Sequence, residues 1–374
     1  MIEFGDLEEL GFSRERVERA LGFICSYSEN KLIPGIEILV IRRGYAAIHK
    51  TCGWAQTIPR RRLLTPGMLF DLASLTKVLA GSIVAGILVS EGLIHLKQRV
   101  SEILPEFSRT AAGVNEIKDR VRIWMLLTHS SGLPPWLPLY RISRSREEIF
   151  SEVLRVFPSY TPGENAIYSD LGFILLTKIS EEVSGERFDR LFEKTVAGRL
   201  GLKNTLYNPL TRGFSTENIV STEVVEDGEA LTGVVHDENA RAMDGVSAHA
   251  GLFSTAFETG LISLELLRSY KGESDLLIPP AYARTMFSRW ICGDRCYGLG
   301  WWIYDKISIE SGGDLLGEGF GHTGFTGTSI WISPIYDLIV VLMTNRVHPS
   351  RDNRHIDRLR TIAHNMILSS LKRL

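Results

Sequence analysis

A hydroxyl and an amine spaced three residues apart on a helix share one face, so the amine can take or hold the hydroxyl proton and turn the oxygen into a nucleophile. This 374-residue chain carries that Ser-x-x-Lys spacing at Ser28–Lys31, Ser74–Lys77 and Ser369–Lys372. Context separates the three. Ser28 stands where a helix runs out toward Pro34, and Ser369 stands in a final, frayable turn, so both are expected on the solvated surface. Ser74 opens an apolar run, and free backbone N–H groups at a helix start would stabilise the anion that forms at an acylated carbonyl.

Two more segments add chemistry. Tyr168-Ser169-Asp170 follows the turn Pro162-Gly163-Glu164 and opens a helix, where a phenol can shuttle a proton if a neighbouring cation lowers its pKa. His322-Thr323-Gly324 leads into the β-branched stretch Thr326 to Ile332, where a glycine would let a substrate backbone approach an edge strand.

The elements that must position these groups are legible from periodicity. Ser13 is placed to cap a helix with apolar Val17, Ala20, Leu21 and Ile24, and Pro34-Gly35 ends it. Ile36 to Ile41 and Tyr45 to His49 read as a hairpin joined at Arg43-Gly44. Helices follow over Ser74 to Gly92, Val121 to Leu127, Arg146 to Phe157 and Asp170 to Ser184. Strands return at Leu299 to Tyr304, Thr328 to Ile332 and Leu338 to Thr344, and Ile356, Leu359, Ile362, Ala363, Met366, Ile367 and Leu371 make a closing amphipathic helix. A helical insert between an early hairpin and late strands suggests an antiparallel sheet completed by both chain ends.

In their order, Ser74-x-x-Lys77, Tyr168-Ser169-Asp170 and His322-Thr323-Gly324 resemble the three motifs of penicillin-binding proteins and serine β-lactamases. The segments Leu126 to Leu133, Thr161 to Glu164, Tyr297 to Trp301 and Gly321 to Gly327 are similar to those of the class C β-lactamase branch, which includes D-Ala-D-Ala carboxypeptidases, D-aminopeptidases and esterases. The likeness runs from about residue 12 to 370. It implies the β-lactamase/transpeptidase-like α/β (α+β) fold, an antiparallel sheet flanked by terminal helices plus an all-α lobe. Residues 1–72 and 206–374 would form the α/β lobe and 73–205 the helical lobe, with the site at their junction.

The resemblance also implies roles. Ser74 would attack the carbonyl, Lys77 and Tyr168 would manage its proton, and His322 would assist them. The backbone N–H groups of Ser74 and Phe325 would form the oxyanion hole, and Asp170, Thr323 and Gly324 would meet the substrate. His322 stands where many β-lactamases carry Lys, which favours a neutral or pH-tuned partner. Asp170 stands where the family usually has Asn, and a carboxylate cannot donate unless protonated, so efficient β-lactam turnover is not expected. A D-amino-acid peptide or muropeptide-type substrate is the leading expectation, with a β-lactam as a possible ligand. A carboxylesterase using the same residues is the alternative, and a non-catalytic penicillin-recognising sensor or scaffold the second.

Composition sets outer limits. Lys plus Arg number 42 against 44 Asp plus Glu, so no basic field calls for nucleic acid. The uncharged run Val78 to Ser90 is well short of the roughly 20 residues that cross a bilayer, so no membrane partner is expected. Residues 1–10 show no basic-then-apolar signal pattern, from which cytoplasmic residence is expected. Cys25, Cys52, Cys292 and Cys296 read as reduced, partly buried thiols. No cofactor or metal is expected: Gly319 to Gly324 fits G-x-G-x-x-G but leads into a strand, and the His236 to Asn239 segment with His249 lacks zinc spacing and favours a hydrogen-bonded structural role. Pro134 to Arg146, with Trp136, Tyr140, Arg141, Arg144 and Arg146, reads as a solvated loop or as an aromatic and basic lip for an anionic substrate.

Overall fold

Arg43 and Gly44 both take left-handed backbone, at φ 51° and 84°, and turn the strand Gly35–Arg42 back onto Tyr45–Gln56. In the computed structural model, which describes residues 2–372 apart from 112, 144, 227 and 307–311, this hairpin founds a nine-stranded antiparallel sheet. From one edge the strands run Arg62–Leu63, Tyr45–Gln56, Gly35–Arg42, Leu338–Thr344, Ser329–Ser333, Phe320–Thr323, Trp302–Ile303, Cys296–Tyr297 and Ile291–Cys292. Chain start and chain end meet at its centre, where Ile36 to Arg42 pair with Leu338 to Thr344.

Both central strands are buried throughout because each face is covered. Alternation along Gly35–Arg42 divides the core: Ile36, Ile38 and Val40 pack with the terminal helices Arg14–Glu29 and His355–Ser369, while Leu39 and Ile41 join the larger core shared with the helical body. From the closing helix, Ile356, Leu359, Ala363 and Ile367 are buried, but it ends at Ser369, and Leu371, expected within it, instead bridges to Phe12. Ser13 stands at the first helix's N-cap position, but its side chain makes no capping hydrogen bond.

The helical body centres on residues 75–90 and on Asp170–Ser184, whose bounds coincide with the span read from sequence. The 75–90 segment differs in detail, since Lys77–Gly81 is wound as a π-turn before the α-helix Ser82–Ser90, and Val78 to Leu88 are buried. Such bulges gather at functional sites. The strand expected over Leu299 to Tyr304 shrinks to Trp302–Ile303, because Gly300, at φ 87°, turns the chain first. No described helix is long and apolar enough to cross a membrane.

Two expectations fail. The cysteines are paired and not reduced: Cys25 to Cys52, with Cα atoms 5.5 Å apart, joins the first helix to the hairpin, and Cys292 to Cys296, at 4.0 Å, faces across two strands in register. Linear spacing hid both pairs, which are made by packing and by strand register. Ser28 is buried, and its hydroxyl donates to the Pro34 carbonyl at 2.7 Å; the helix stops at Glu29 and Lys31 turns left-handed, so that Ser-x-x-Lys spacing never shares a face. Ser369 is exposed, as expected.

Candidate active site

Ser74 follows a strained residue. Ala73 adopts φ 46°, a left-handed conformation costly for a side chain with a Cβ, and a buried carboxylate holds it there. Asp71 Oδ1 accepts the Ala73 N–H at 2.8 Å, and Oδ2 accepts the His236 N–H at 2.7 Å. Two hydroxyls tie the same stretch to the turn after His322-Thr323: Thr326 Oγ1 donates to the Asp71 carbonyl at 2.7 Å and Thr328 Oγ1 to the Leu72 carbonyl at 3.0 Å. The backbone N–H groups of Ser74 and Phe325 are thus carried on two segments stapled to each other, and among the described residues neither has an acceptor.

Three residues on, where the π-turn begins, the Lys77 ammonium is wholly buried. Its Nζ lies 3.0 Å from Ser74 Oγ, 2.9 Å from the His249 carbonyl and 2.7 Å from Asp170 Oδ1, the last an ion contact without hydrogen-bond alignment. Asp170 begins its helix, where its charge also suits the positive end. Burial alone would lower the Lys77 pKa, but Asp170 and the Tyr168 oxygen outweigh it and hold the amine above its ordinary value. Asp170, expected to meet the substrate, is spent on the lysine.

Tyr168 packs over this pair, with Lys77 Nζ 5.0 Å from its ring centre. Burial, with the Asp170 charge, raises the phenol above its ordinary pKa despite the opposing ammonium, so it is neutral at physiological pH. Its buried hydroxyl makes no well-formed hydrogen bond, although Lys77 and Ser74 are its polar neighbours. His322 lies beyond, its ring 5.8 Å from that of Tyr168 and 4.3 Å from that of Trp302. Nδ1 faces its neighbour's carbonyl, Thr323 O, at 2.7 Å, which puts the proton on Nδ1 and leaves Nε2 an acceptor without a partner. Burial and the Lys77 charge push its pKa far down, so it is neutral.

The Phe320–Thr323 strand is interior to the sheet, but its neighbour Trp302–Ile303 pairs only with Phe320 and Gly321, leaving the outer edge of His322 and Thr323 uncovered. Gly324 is required for a different reason from the one expected. A Cβ there would come within 2.2 Å of Thr328 Oγ1 and 2.5 Å of the Leu72 carbonyl, so the glycine serves the packing of the staple. Ser74, Tyr168, Thr323, Gly324 and Phe325 open together into a cavity of about 340 Å³; Lys77 and His322 lie buried beneath it.

Several contributors escaped sequence reasoning. Asp71 and Thr328 belong to no motif, Thr326 reads as part of the Gly321 to Gly327 segment, and all three act through backbone contacts. His129 supports Tyr168 from behind, its ring 4.6 Å away and its Nδ1 accepting the Ser169 N–H at 3.0 Å. Arg346, Arg351, Arg354 and Arg360 line the cavity, a local density visible in the sequence but diluted in the whole-chain charge. The His236 to Asn239 segment is structural in its contacts: Asp237 caps a short helix and meets His249, and Asn239 bridges to the Leu137 carbonyl and the Tyr140 N–H. Among the described residues, no His, Cys, Asp and Glu group could hold a metal ion. In the Pro134 to Arg146 stretch, Arg146 is buried and paired with Glu181, Arg141 lies against Tyr140, and Arg144 is outside the described residues.

Comparison with known proteins agrees with this geometry. The beta-lactamase family model matches residues 21–365. A protein of Salmonella agona (strain SL483) and one of Escherichia coli (strain K12), each named "Putative D-alanyl-D-alanine carboxypeptidase", are 31% identical over 369 residues, covering 91% of this chain and 85% of theirs. Among solved structures, EstCE1, a hydrolase with promiscuous acyltransferase activity, superposes with a TM-score of 0.76 at 20% identity, covering 95% of this chain and 99% of its own. A class C beta-lactamase in complex with cefoxitin gives 0.74 at 20% identity, over 96% and 99%. Sequence family and fold therefore coincide, and the chain belongs to the beta-lactamase family of serine hydrolases.

Proposed function

We propose that this chain hydrolyses an amide or ester of a D-amino-acid-containing peptide through an acyl group carried on Ser74. The observation that carries this reading is the contact between Ser74 Oγ and the buried Lys77 amine, 3.0 Å apart at the floor of a cavity beside two unclaimed backbone N–H groups. Ser74 Oγ attacks the substrate carbonyl and its proton passes to the Lys77–Tyr168 pair. The oxyanion takes hydrogen bonds from the N–H groups of Ser74 and Phe325. The pair then returns the proton to the leaving amine or alcohol; water, deprotonated by the same pair, attacks the acyl carbonyl, and the pair gives that proton to Ser74 Oγ as the acid leaves.

Both members of that pair hold their protons more firmly than usual, so the reactive form is one proton lighter than the resting form and grows with pH. Neutral His322 accepts from the Tyr168 hydroxyl through Nε2 when the phenol turns toward it. The peptidase reading is supported by the names of the 31% identical relatives, the esterase reading by the fold of EstCE1. D-Alanine release from N-acetyl-D-alanyl-D-alanine, set against hydrolysis of short-chain nitrophenyl esters, separates them. Turnover of the peptide that is lost in Ser74→Ala supports the first, and ester turnover alone supports the second. Two disulfides fit an oxidising compartment better than cytoplasmic residence.

A further inference from the structure

Five guanidinium groups, those of Arg295, Arg346, Arg351, Arg354 and Arg360, line the cavity of about 340 Å³ with one carboxylate, Asp357. The whole chain carries a net charge of −2, so this concentration of positive charge is local. The acids that offset part of it lie outside the cavity lining: Glu223 and Glu238 hold Arg351, and Asp294 approaches Arg295 at 3.9 Å. Arg346 gives its donors to the carbonyls of Phe325, Arg351 and Asn353 and, among the described residues, has no carboxylate in ion-pair range. Arg354, just before the closing helix, is exposed, and its side chain makes no hydrogen bond or ion pair among the described residues.

A ligand with a single carboxylate can engage one guanidinium as a bidentate pair, which leaves the remaining charges of a half-enclosed wall facing one another. We propose that the part of the substrate occupying this cavity carries two carboxylates, as a D-glutamyl or D-aspartyl residue with a free α-carboxylate does, and that Arg354 receives the second. The inference rests on Ser74 being the centre of the site, and it goes beyond that reading by naming the charge of the substrate.

Binding can be measured without turnover in Ser74→Ala by titration calorimetry with N-acetyl-D-alanyl-D-glutamate, which carries two carboxylates, and its isostere N-acetyl-D-alanyl-D-glutamine, which keeps only the α-carboxylate. The acidic peptide is expected to bind about tenfold more tightly, as one added charge-assisted contact allows. Arg354→Ala in the same background should erase that advantage, Arg354→Lys should keep most of it, and neither should alter binding of the glutamine peptide by as much as about twofold. Equal affinities, no binding by either peptide, or an advantage that survives Arg354→Ala would overturn the proposal. The two readings fail separately: discrimination by Ser74→Ala with no cleavage by wild type sinks the peptidase reading alone, and equal kcat/KM on both peptides sinks the charge inference alone.

Discussion

The two walls of the cavity are built in opposite ways. On the Ser74 side every group is fixed from behind: Asp71 clamps Ala73, Thr326 and Thr328 staple the approach, and Lys77 is caught between Asp170, the His249 carbonyl and Ser74. On the other side long arginine side chains reach in from residues 346–360, some anchored on carbonyls and one, Arg354, exposed without a partner among the described residues. The first wall has the fixed donors and acceptors that a developing charge requires. The second has the reach and adaptability suited to recognising a ligand's charge. Changes in the first should act on kcat and changes in the second on KM.

The sharpest break is Ser74→Ala, which should lower kcat by about a thousandfold or more while the thermal midpoint stays put, since it removes only the attacking oxygen. Next comes Asp71→Asn. The amide offers one acceptor oxygen to two buried N–H donors, so about 1–3 kcal/mol of stability should go, read by chemical denaturation. With Ala73 less constrained, kcat should fall about tenfold with KM little changed; an effect confined to KM would refute the positioning role.

Asp170→Asn should act through pH and in the opposite direction. The carboxylate favours the Lys77 ammonium, so removing it should let the proton leave at lower pH. The rising limb of kcat against pH, expected on the alkaline side for wild type, should move downward, and the rate near neutrality should increase by up to about tenfold. A limb that stayed in place would mean the Lys77–Asp170 ion pair does not set the proton affinity of the site. The smallest effect is expected of Arg141→Gln: Arg141 lies against Tyr140, outside the cavity lining, so KM should change by less than about twofold.

What the sequence disclosed follows the same division. The hairpin, the Asp170 helix and the closing helix were legible because each is a local pattern of turn residues or apolar spacing that burial then enforced. The chemistry-bearing residues were legible as motifs, and the structure places Ser74, Lys77, Tyr168 and His322 in one network. Contacts that depend on chain segments far apart were not legible. Asp71 acts on His236, 165 residues away, and Thr326 on Asp71, 255 away. Cys25 and Cys52 meet only because a helix packs on a hairpin. Asp170 was visible as a departure from pattern, yet its consequence, a buried partner for Lys77, needed the geometry.

The most direct measurement is the intact-protein mass after exposure to 4-nitrophenyl acetate and, separately, to a penicillin, followed over time in wild type and Ser74→Ala. The account predicts an acyl adduct in wild type that decays as product accumulates, and none in the variant. An adduct of equal yield in both proteins, or well-folded wild type that acquires no adduct from either reagent, would contradict it.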